Sequence, residues 1–346
     1  MTMFEDALLI EPIKDGQRVR DTFWLHAMSS YVRESLFPNQ SVLMPVVNTP
    51  AVEVGKHQNI YQEINMPLIK AAGIKVLRRR AGGGTIYYDQ GCLAVWFKLP
   101  NDGKGHQYFE LVTQPVIEAL HSLGATKVKR SGRNDLLIDG KKISGTAVYT
   151  TEQYVAGGVS LLLDVDYERM AALLTPSLKK LQSKGIQSVR SRVTDIRSSL
   201  NSSYQKITMD EFIKKILCSL CHKTDFEDIP RYHLTSEDWY KIERDHLPAY
   251  QDWNWNFGES PTFSYQREHH FSAGSIEFCL EIHQARIEKC RIYGDFFCKG
   301  DIHDVEKALI GVSLEAEALK EAFKPLDLSY YFGQVSGQEL VDLIVS

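Results

Sequence analysis

The stretch RNDLLIDGKKISGTA, Arg133 to Ala147, decides how this chain is read. An apolar run, Leu136-Leu137-Ile138, meets Asp139-Gly140, and a second strand-like run follows. Asp-Gly between such runs is the sequence of a two-residue hairpin, because both central residues of the favoured turn need positive φ. The returning strand then starts at Lys141-Lys142, which fixes the Lys142 ammonium over whatever the sheet cradles. Asp135, opposite on the outgoing strand, is placed to bind a metal ion or to orient a lysine. Taken alone the segment is equally an exposed charged turn, so its meaning rests on its neighbours.

Upstream, IKVLRRR (74–80) predicts a short strand running straight into Gly82-Gly83-Gly84. Three glycines let the backbone turn tightly and show its N–H groups to a ligand. The arginines before them, Arg78 to Arg80, are donors suited to carboxylate or phosphate. The spacing is neither a P-loop, which ends in Gly-Lys-Ser/Thr, nor a dinucleotide fingerprint, which opens a helix.

Further out, Phe23, Leu25, Met28, Tyr31 and Val32 recur at helical spacing and predict a helix from about Asp21 to Leu36. SVLMPVVNTPAVEVGKHQN (41–59) predicts a strand reaching a loop. Residues 60–72 predict one helix ended by Gly73. TIYYDQGCLAVWFKL (85–99) predicts strand, turn and strand, and 108–123 a helix. Beyond the hairpin, GGVSLLLDVD (157–166) is a strand and DYERMAALL (166–174) a helix. The basic stretch SLKKLQSKGIQSVRSRVTDI (177–196) has no clear period and is expected to be a functional loop. After about Asp210 the texture changes. A helix is followed by DWNWNFGESPTFSY (252–265), a junction in which Trp253 to Phe257 suits packing better than ligand binding. The remainder alternates through 275–297 and closes with a helix over 305–323 and another near the end. The expected class is therefore α+β, with a large domain over 1–252 and a small α+β domain over 258–346.

Composition narrows the partners. A formal net charge of -4 over 346 residues gives no basic stripe for nucleic acid. No apolar run approaches the ~18 residues of a membrane span, and the acidic opening MTMFEDALLIEP does not resemble a signal peptide. The six cysteines are scattered, without a disulfide framework, which suits a reduced cytoplasm. Cys218-Ser-Leu-Cys221-His222 has the form of a haem or redox motif. It lies on an apolar helical stripe with Phe212, Ile213, Ile216, Leu217 and Leu220, and is expected to be core.

Taken in order, Arg-Arg-x-x-Gly-Gly-Gly-Thr-x-x-x-Asp at 78–89, RNDL…GKKISGTA at 133–147, LKKLQSKGIQSVRSRVTDI at 178–196 and Trp-x-Trp-Asn-Phe-Gly at 253–258 closely resemble the lipoate–protein ligase A family, a branch of the biotin/lipoate ligase superfamily. The resemblance runs from Gly55-Lys-His-Gln-Asn59 to the last domain. It implies a class II-synthetase-like mixed sheet and a two-step reaction. ATP activates a lipoyl-type acid as its adenylate, and a carrier lysine then displaces AMP. By the same resemblance Lys142 is the central catalytic residue, with Asp135 beside the Mg2+-triphosphate. Arg79, Gly82, Gly83, Gly84 and Thr85 line the acyl and phosphate site, Ile86 and Tyr87 meet the adenine through backbone atoms, and Tyr88 follows them in the substrate- and adenylate-binding set. Asn134, Ser144, Gly145 and Ala147 belong to the substrate-binding block. Lys184, Ser188, Val189 and Arg192 close over the adenylate. The implied partner is a lipoyl-domain protein, either a glycine-cleavage H-type protein or a 2-oxoacid dehydrogenase E2 domain.

Several positions depart from the family pattern. Tyr88 stands where His is usual, Cys92 where Asn is usual, Gly157 or Gly158 at another usual His, and Ala81 at a Ser/Ala position. The nucleotide blocks are intact, so the acyl pocket is what these changes alter. Two alternatives share the scaffold: a transferase that uses pre-formed lipoyl-AMP or an acyl carrier, and a non-catalytic carrier-binding homologue.

Overall fold

Strand Cys92–Pro100 is buried along nearly its whole length, the mark of a strand with a packed layer on each face. The computed structural model describes residues 3–104, 107–132, 134–174, 192–257, 265–283 and 286–345. In chain order the elements begin with β1 (Leu8–Leu9), the small hairpin β2 (Ile13–Lys14) and β3 (Gln17–Arg18), helix α1 (Thr22–Ser35), and strands β4 (Val42–Val46) and β5 (Ala51–Val54). Helices α2 (Ile60–Glu63) and α3 (Met66–Ala71) precede strands β6 (Lys75–Arg78), β7 (Ile86–Tyr88) and β8 (Cys92–Pro100). Helix α4 (Gln107–Ser122) leads to β9 (Lys129–Ser131), β10 (Asp135–Ile138), β11 (Lys141–Thr150) and β12 (Tyr154–Leu162). Then come α5 (Tyr167–Leu173), α6 (Met209–Leu220), α7 (Ser236–Lys241), α8 (Leu247–Gln251) and α9 (Trp253–Asn256).

These elements form a mixed seven-stranded sheet of order β1-β4-β8-β12-β11-β10-β9, in which β1 runs parallel to β4. Alternation gives its two faces different jobs. Leu43, Val95, Phe97, Val148, Val155, Val159 and Leu161 point one way and make a core with Val112, Val116 and Leu120 of α4 and Phe212, Ile216 and Leu217 of α6. Helix α6 is closed by a capping box between Thr208 and Glu211. Cys221 sits in that same core, and burial pushes its thiol up to about 12. All six cysteines are free. Across the other face run two rows: Met44, Trp96, Gly158 and Ala147, then Val46, Ala94, Ser160 and Gly145. That second face is the one with small side chains.

The structure divides several runs that read as continuous in sequence. Residues 60–72 are two short helices, because Asn65 caps the second through Leu68 N and Pro67 stands in its first turn. The 41–54 run is two strands. β7 does not pair with β8 but joins the small sheet β6-β5-β7, with Val52 opposite Tyr87. Asp89 accepts from Gly91 N at 2.8 Å and from Asp166 N at 2.9 Å, which turns the chain from one sheet into the other.

The chain separates into two compact units: Met1–Glu53, Ile64–Leu77 and Ile86–Asn256 in one, and Val54–Glu63, Arg78–Thr85 and Phe257–Ser346 in the other. The second unit thus includes two excursions from the first half of the chain, which linear boundaries at 252 and 258 do not express. Its own sheet is the antiparallel β13 (Tyr265–Phe271), β14 (Gly274–His283) and β15 (Arg286–Gly294). Helices α10 (Ile302–Leu309), α11 (Ala316–Phe323), α12 (Leu328–Phe332) and α13 (Gly337–Val345) complete a core around Phe278, Ile292, Phe296, Leu309, Phe332 and Val341. The expected single helix over 305–323 is two, since Ile310 leaves α10 with an extended ψ of 130°. Among the described residues no helix is long and apolar enough to cross a membrane.

Candidate active site

Asp139 and Gly140 have φ of 48° and 79°, so the β10–β11 turn is the tight type its sequence requires. The register then slips: Leu136 pairs with Ser144 but Leu137 with Lys142, leaving Ile143 as an extra residue. In a regular strand Lys142 and Gly145 would point to opposite faces. A one-residue bulge reverses that parity. As a result Lys142 Nζ lies on the open face above the Gly145 backbone, 3.3 Å from where a Cβ would stand. It also meets the Asp135 carboxylate at 2.7 Å, with both groups about one-third exposed.

The backbone at Lys142 is held from both sides. Leu137 pairs with it in the hairpin, and the chain returning at 193–194 pairs on the other edge, with Thr194 N donating to Lys142 O at 2.9 Å. Arg192 is therefore delivered next to Lys142, and its half-buried guanidinium has one Nη with no partner among the described residues. Beneath the ammonium, Ser160 Oγ accepts from Gly145 N at 3.1 Å, which pins the strand and leaves no bulky side chain there. Asn134 O accepts from Thr146 N at 2.8 Å. Ala147 shares the open face. Ser144 does not: it is buried on the opposite face, its Oγ without a partner among the described residues. Lys184, Ser188 and Val189 lie outside the described residues.

Ile86, Tyr87 and Tyr88 form β7, opposite Glu53, Val52 and Ala51. Both tyrosines are buried, and burial with the nearby Asp89 carboxylate pushes the Tyr87 phenol up to about 12, so it stays protonated.

In the second unit, the triglycine loop is built from within. Arg78 Nη1 donates to the carbonyls of Gly55, Lys56 and Gln58 at 2.7–3.1 Å. Burial pulls its pKa down to about 10. Arg79 Nη2 donates to Gly82 O at 3.1 Å and Gly84 O at 2.7 Å. Arg78 thus braces the neighbouring 55–58 segment, while Arg79 ties up two of the loop's own acceptors; among the described residues the N–H groups of Gly82, Gly83 and Gly84 donate to nothing. Such a run of free N–H groups is an anion cradle. Thr85 Oγ1 donates to Gln58 Oε1 at 2.8 Å, as does Gly55 N at 2.9 Å. Gln58 is a member of this site that sequence reasoning misses, although it stands in the Gly55–Asn59 block. His57, next to it, stacks flat on Phe296 at 4.9 Å and lies 3.0 Å from Cys298 Sγ. Burial, with Lys56 and Arg78 adding to it, pulls the His57 imidazole down to about 3.

The expected residues are thus divided between the units: a fixed cation with a carboxylate on a sheet face in the first, and a loop of free N–H groups in the second. Fixed cations and free N–H groups are what a reaction that builds charge on phosphoryl oxygens needs.

Comparison with known proteins gives a consistent account. A model described as the lipoyl protein ligase A/B catalytic domain matches residues 21–221, and one described as the bacterial lipoate protein ligase C-terminus matches 260–344. A Streptococcus pyogenes protein named lipoate–protein ligase is 45% identical over 338 residues, 98% of this chain and 99% of that protein. A Staphylococcus aureus protein named lipoate–protein ligase 2 is 42% identical, over the same shares of each chain. Among solved structures, P. falciparum LipL1 in complex with lipoate superposes with a TM-score of 0.75 at 18% identity, covering 98% of both chains.

Proposed function

Because the chain belongs to the lipoate–protein ligase family, with the biotin/lipoate ligase fold and an ATP-dependent ligase activity toward lipoate, we propose the following division of labour. Lipoate's carboxylate oxygen attacks the α-phosphorus of ATP, the bond to the β-phosphate breaks, and pyrophosphate leaves. The ε-amine of an acceptor lysine then attacks the acyl carbon, AMP leaves, and the amine's proton passes to solvent or a base. Lys142 bridges the carboxylate and the α-phosphate through both steps. The observation that carries this reading is its ammonium, standing on the open sheet face over Gly145 while its backbone is clamped on both edges. A cation that needs no reorganisation is worth most where charge develops.

Asp135 holds Lys142 in the resting arrangement. Asp135 is also the residue that would hold a Mg2+ ion, which would supply positive charge against the nucleotide's phosphates. Among the described residues no group of three His, Cys, Asp or Glu side chains gathers. One or two protein carboxylates with substrate phosphates are the usual setting for Mg2+. The free N–H groups of Gly82 to Gly84 take phosphate or carboxylate oxygens, with Arg79 and Thr85 holding the loop in shape. Ile86 and Tyr87 meet adenine through backbone, and Tyr88 belongs to the substrate-binding set. Gly145 and Ala147 floor the site, and Asn134 and Ser144 act by bracing its strands. Arg192, with Lys184, Ser188 and Val189, closes over the adenylate. Residues 1–252 carry catalysis and 258–346 are accessory.

The acceptor is a lipoyl-domain protein, and we take a glycine-cleavage H-type protein as the preferred one over an E2 domain. The changes at Tyr88 and Gly157/Gly158 motivate that choice. Free thiols at all six cysteines support a cytoplasmic setting.

The test is the intact mass of a purified lipoyl-domain protein after incubation with this enzyme, lipoate and Mg2+, with and without ATP. A lipoyl-sized gain that appears only with ATP is expected. A gain only from synthetic lipoyl-AMP would make the chain a transferase instead. Running an H-type and an E2 acceptor side by side decides the preference.

A further inference from the structure

The open face of the sheet has a direction. From Lys142 it crosses partly exposed positions with almost no side chain, namely Gly145, Ser160, Ala147 and Gly158, and the first bulky group it meets is Trp96. Trp96 pairs with Gly158, and its indole leans across that glycine: a Cβ at 158 would stand 2.5 Å from Trp96 Cδ1 and 3.2 Å from Nε1. The indole therefore occupies the room a side chain at 158 would need, and the two positions cannot both be large. It cannot retreat either. His26 of α1 packs against it at 4.7 Å between ring centroids, and His26 Nε2 lies 3.0 Å from Glu53 Oε1, which also accepts from Thr22 Oγ1 at 3.1 Å. Tyr250 flanks His26 at 5.5 Å. Trp96, His26 and Glu53 are all buried.

We propose that Trp96, lodged over Gly158 and backed by His26 and Glu53, is the end wall of the acyl site and sets how long an acid the enzyme accepts. The inference rests on the reading that the acid's carboxylate lies at Lys142. A saturated or dithiolane-capped chain of about eight carbons then runs over the small residues and stops at the indole. Longer unbranched acids are rejected because the wall is itself packed on its far side.

The experiment compares hexanoate, octanoate, decanoate and dodecanoate, with lipoate as reference, in the wild type and in Trp96→Leu, Gly158→Ala and the double variant. The readouts are pyrophosphate release and the mass of the acceptor. The ratio of kcat/KM for decanoate to that for octanoate is internal to each protein, so partial loss of folded material does not move it. In Trp96→Leu it should rise roughly tenfold or more, the scale on which an apolar pocket reads one or two methylenes. Gly158→Ala should push the indole into the channel, lowering the rate with lipoate and shifting preference to hexanoate. Adding Trp96→Leu should relieve that loss, since leucine leaves room for the new methyl group. If the wild type makes lipoyl-AMP but no variant changes the chain-length ratio, the wall is elsewhere and the ligase reading stands. If the wild type forms neither adenylate nor conjugate, both fall together.

Discussion

The Lys142 hairpin and the triglycine loop both present hydrogen-bond donors, and they do so by opposite means. On the hairpin the donor is one ammonium at the end of a side chain, aimed by strand pairing, with a carboxylate partner and about one-third exposed. On the loop the donors belong to the backbone, and the charges nearby are spent inside the protein. Arg78 and Arg79 hold carbonyls at 2.7–3.1 Å. A side-chain donor can be removed without disturbing the fold. A backbone donor is inseparable from the packing that shapes it. Substitutions should therefore separate activity from stability at the hairpin and fail to separate them at the loop.

The largest expected effect is at Lys142. Lys142→Ala should lower kcat/KM for adenylate formation by ~10²–10³ if the ammonium serves as one charge-stabilising donor. Its melting temperature should stay close to that of the wild type, because a partly exposed ion pair contributes little to stability. Pyrophosphate release and thermal unfolding on the same protein check both halves. Near-normal release would remove Lys142 from the mechanism.

Next is the loop. A Cβ on Gly55 would overlap the Gly83 carbonyl oxygen, whereas one on Gly84 meets nothing within 4 Å. Gly55→Ala should cost about 1–3 kcal/mol by overpacking and lose activity with it, since the Gly83 peptide must move. Gly84→Ala should fall within about 0.5 kcal/mol of wild type. Urea denaturation of the two variants gives the comparison. Equal stabilities would mean the loop is not held as tightly as its hydrogen bonds imply.

Much of this contrast is legible in the amino-acid sequence, and the illegible part has physical causes. Asp139-Gly140 announces the turn because few pairs tolerate φ of 48° and 79° together. The bulge at Ile143, which brings Lys142 onto the face of Gly145, leaves no mark, because Lys-Ile-Ser-Gly suits a regular strand equally well. Adjacency groups Ser144 with Gly145, yet alternation turns it to the other side. At the loop, the residue types alone make Arg78 and Arg79 donors for a ligand. Which way an arginine turns depends on carbonyls 20 or more residues away in sequence for Arg78, and on the loop's own folded path for Arg79. Trp96 reads only as part of a strand, and the partner that gives it meaning, Gly158, stands out in sequence only as an absent side chain.

The segment beside the loop should also respond to acid. His57 is buried against Phe296 and its pKa is pulled down to about 3, from about 6.5 in an unfolded chain. Between those values the unfolded chain carries a proton that the folded one lacks, so stability falls as pH drops through that window. From pH 6.5 to 5 the loss from this one group is about 2 kcal/mol at ~1.4 kcal/mol per unit. His57→Phe should keep the stacking and flatten the dependence. Melting curves from pH 7 to 5 on both proteins check it, and parallel slopes would show that the imidazole titrates freely.

The smallest effect tests whether glycine means the same thing in both regions. At Gly140 the requirement is the dihedral, φ 79° with nothing near a Cβ, whereas at Gly55 it is space. Gly140→Ala should cost about 1 kcal/mol, the strain of an L-residue in that region, and Gly140→Asn less, because asparagine tolerates it. Gly55→Asn should be worse than Gly55→Ala, since every added atom enters occupied space. If asparagine rescues neither position, the turn at 139–140 is constrained by more than its own φ. The hairpin would then resemble the loop in depending on its surroundings, and the separation of activity from stability at Lys142 should weaken with it.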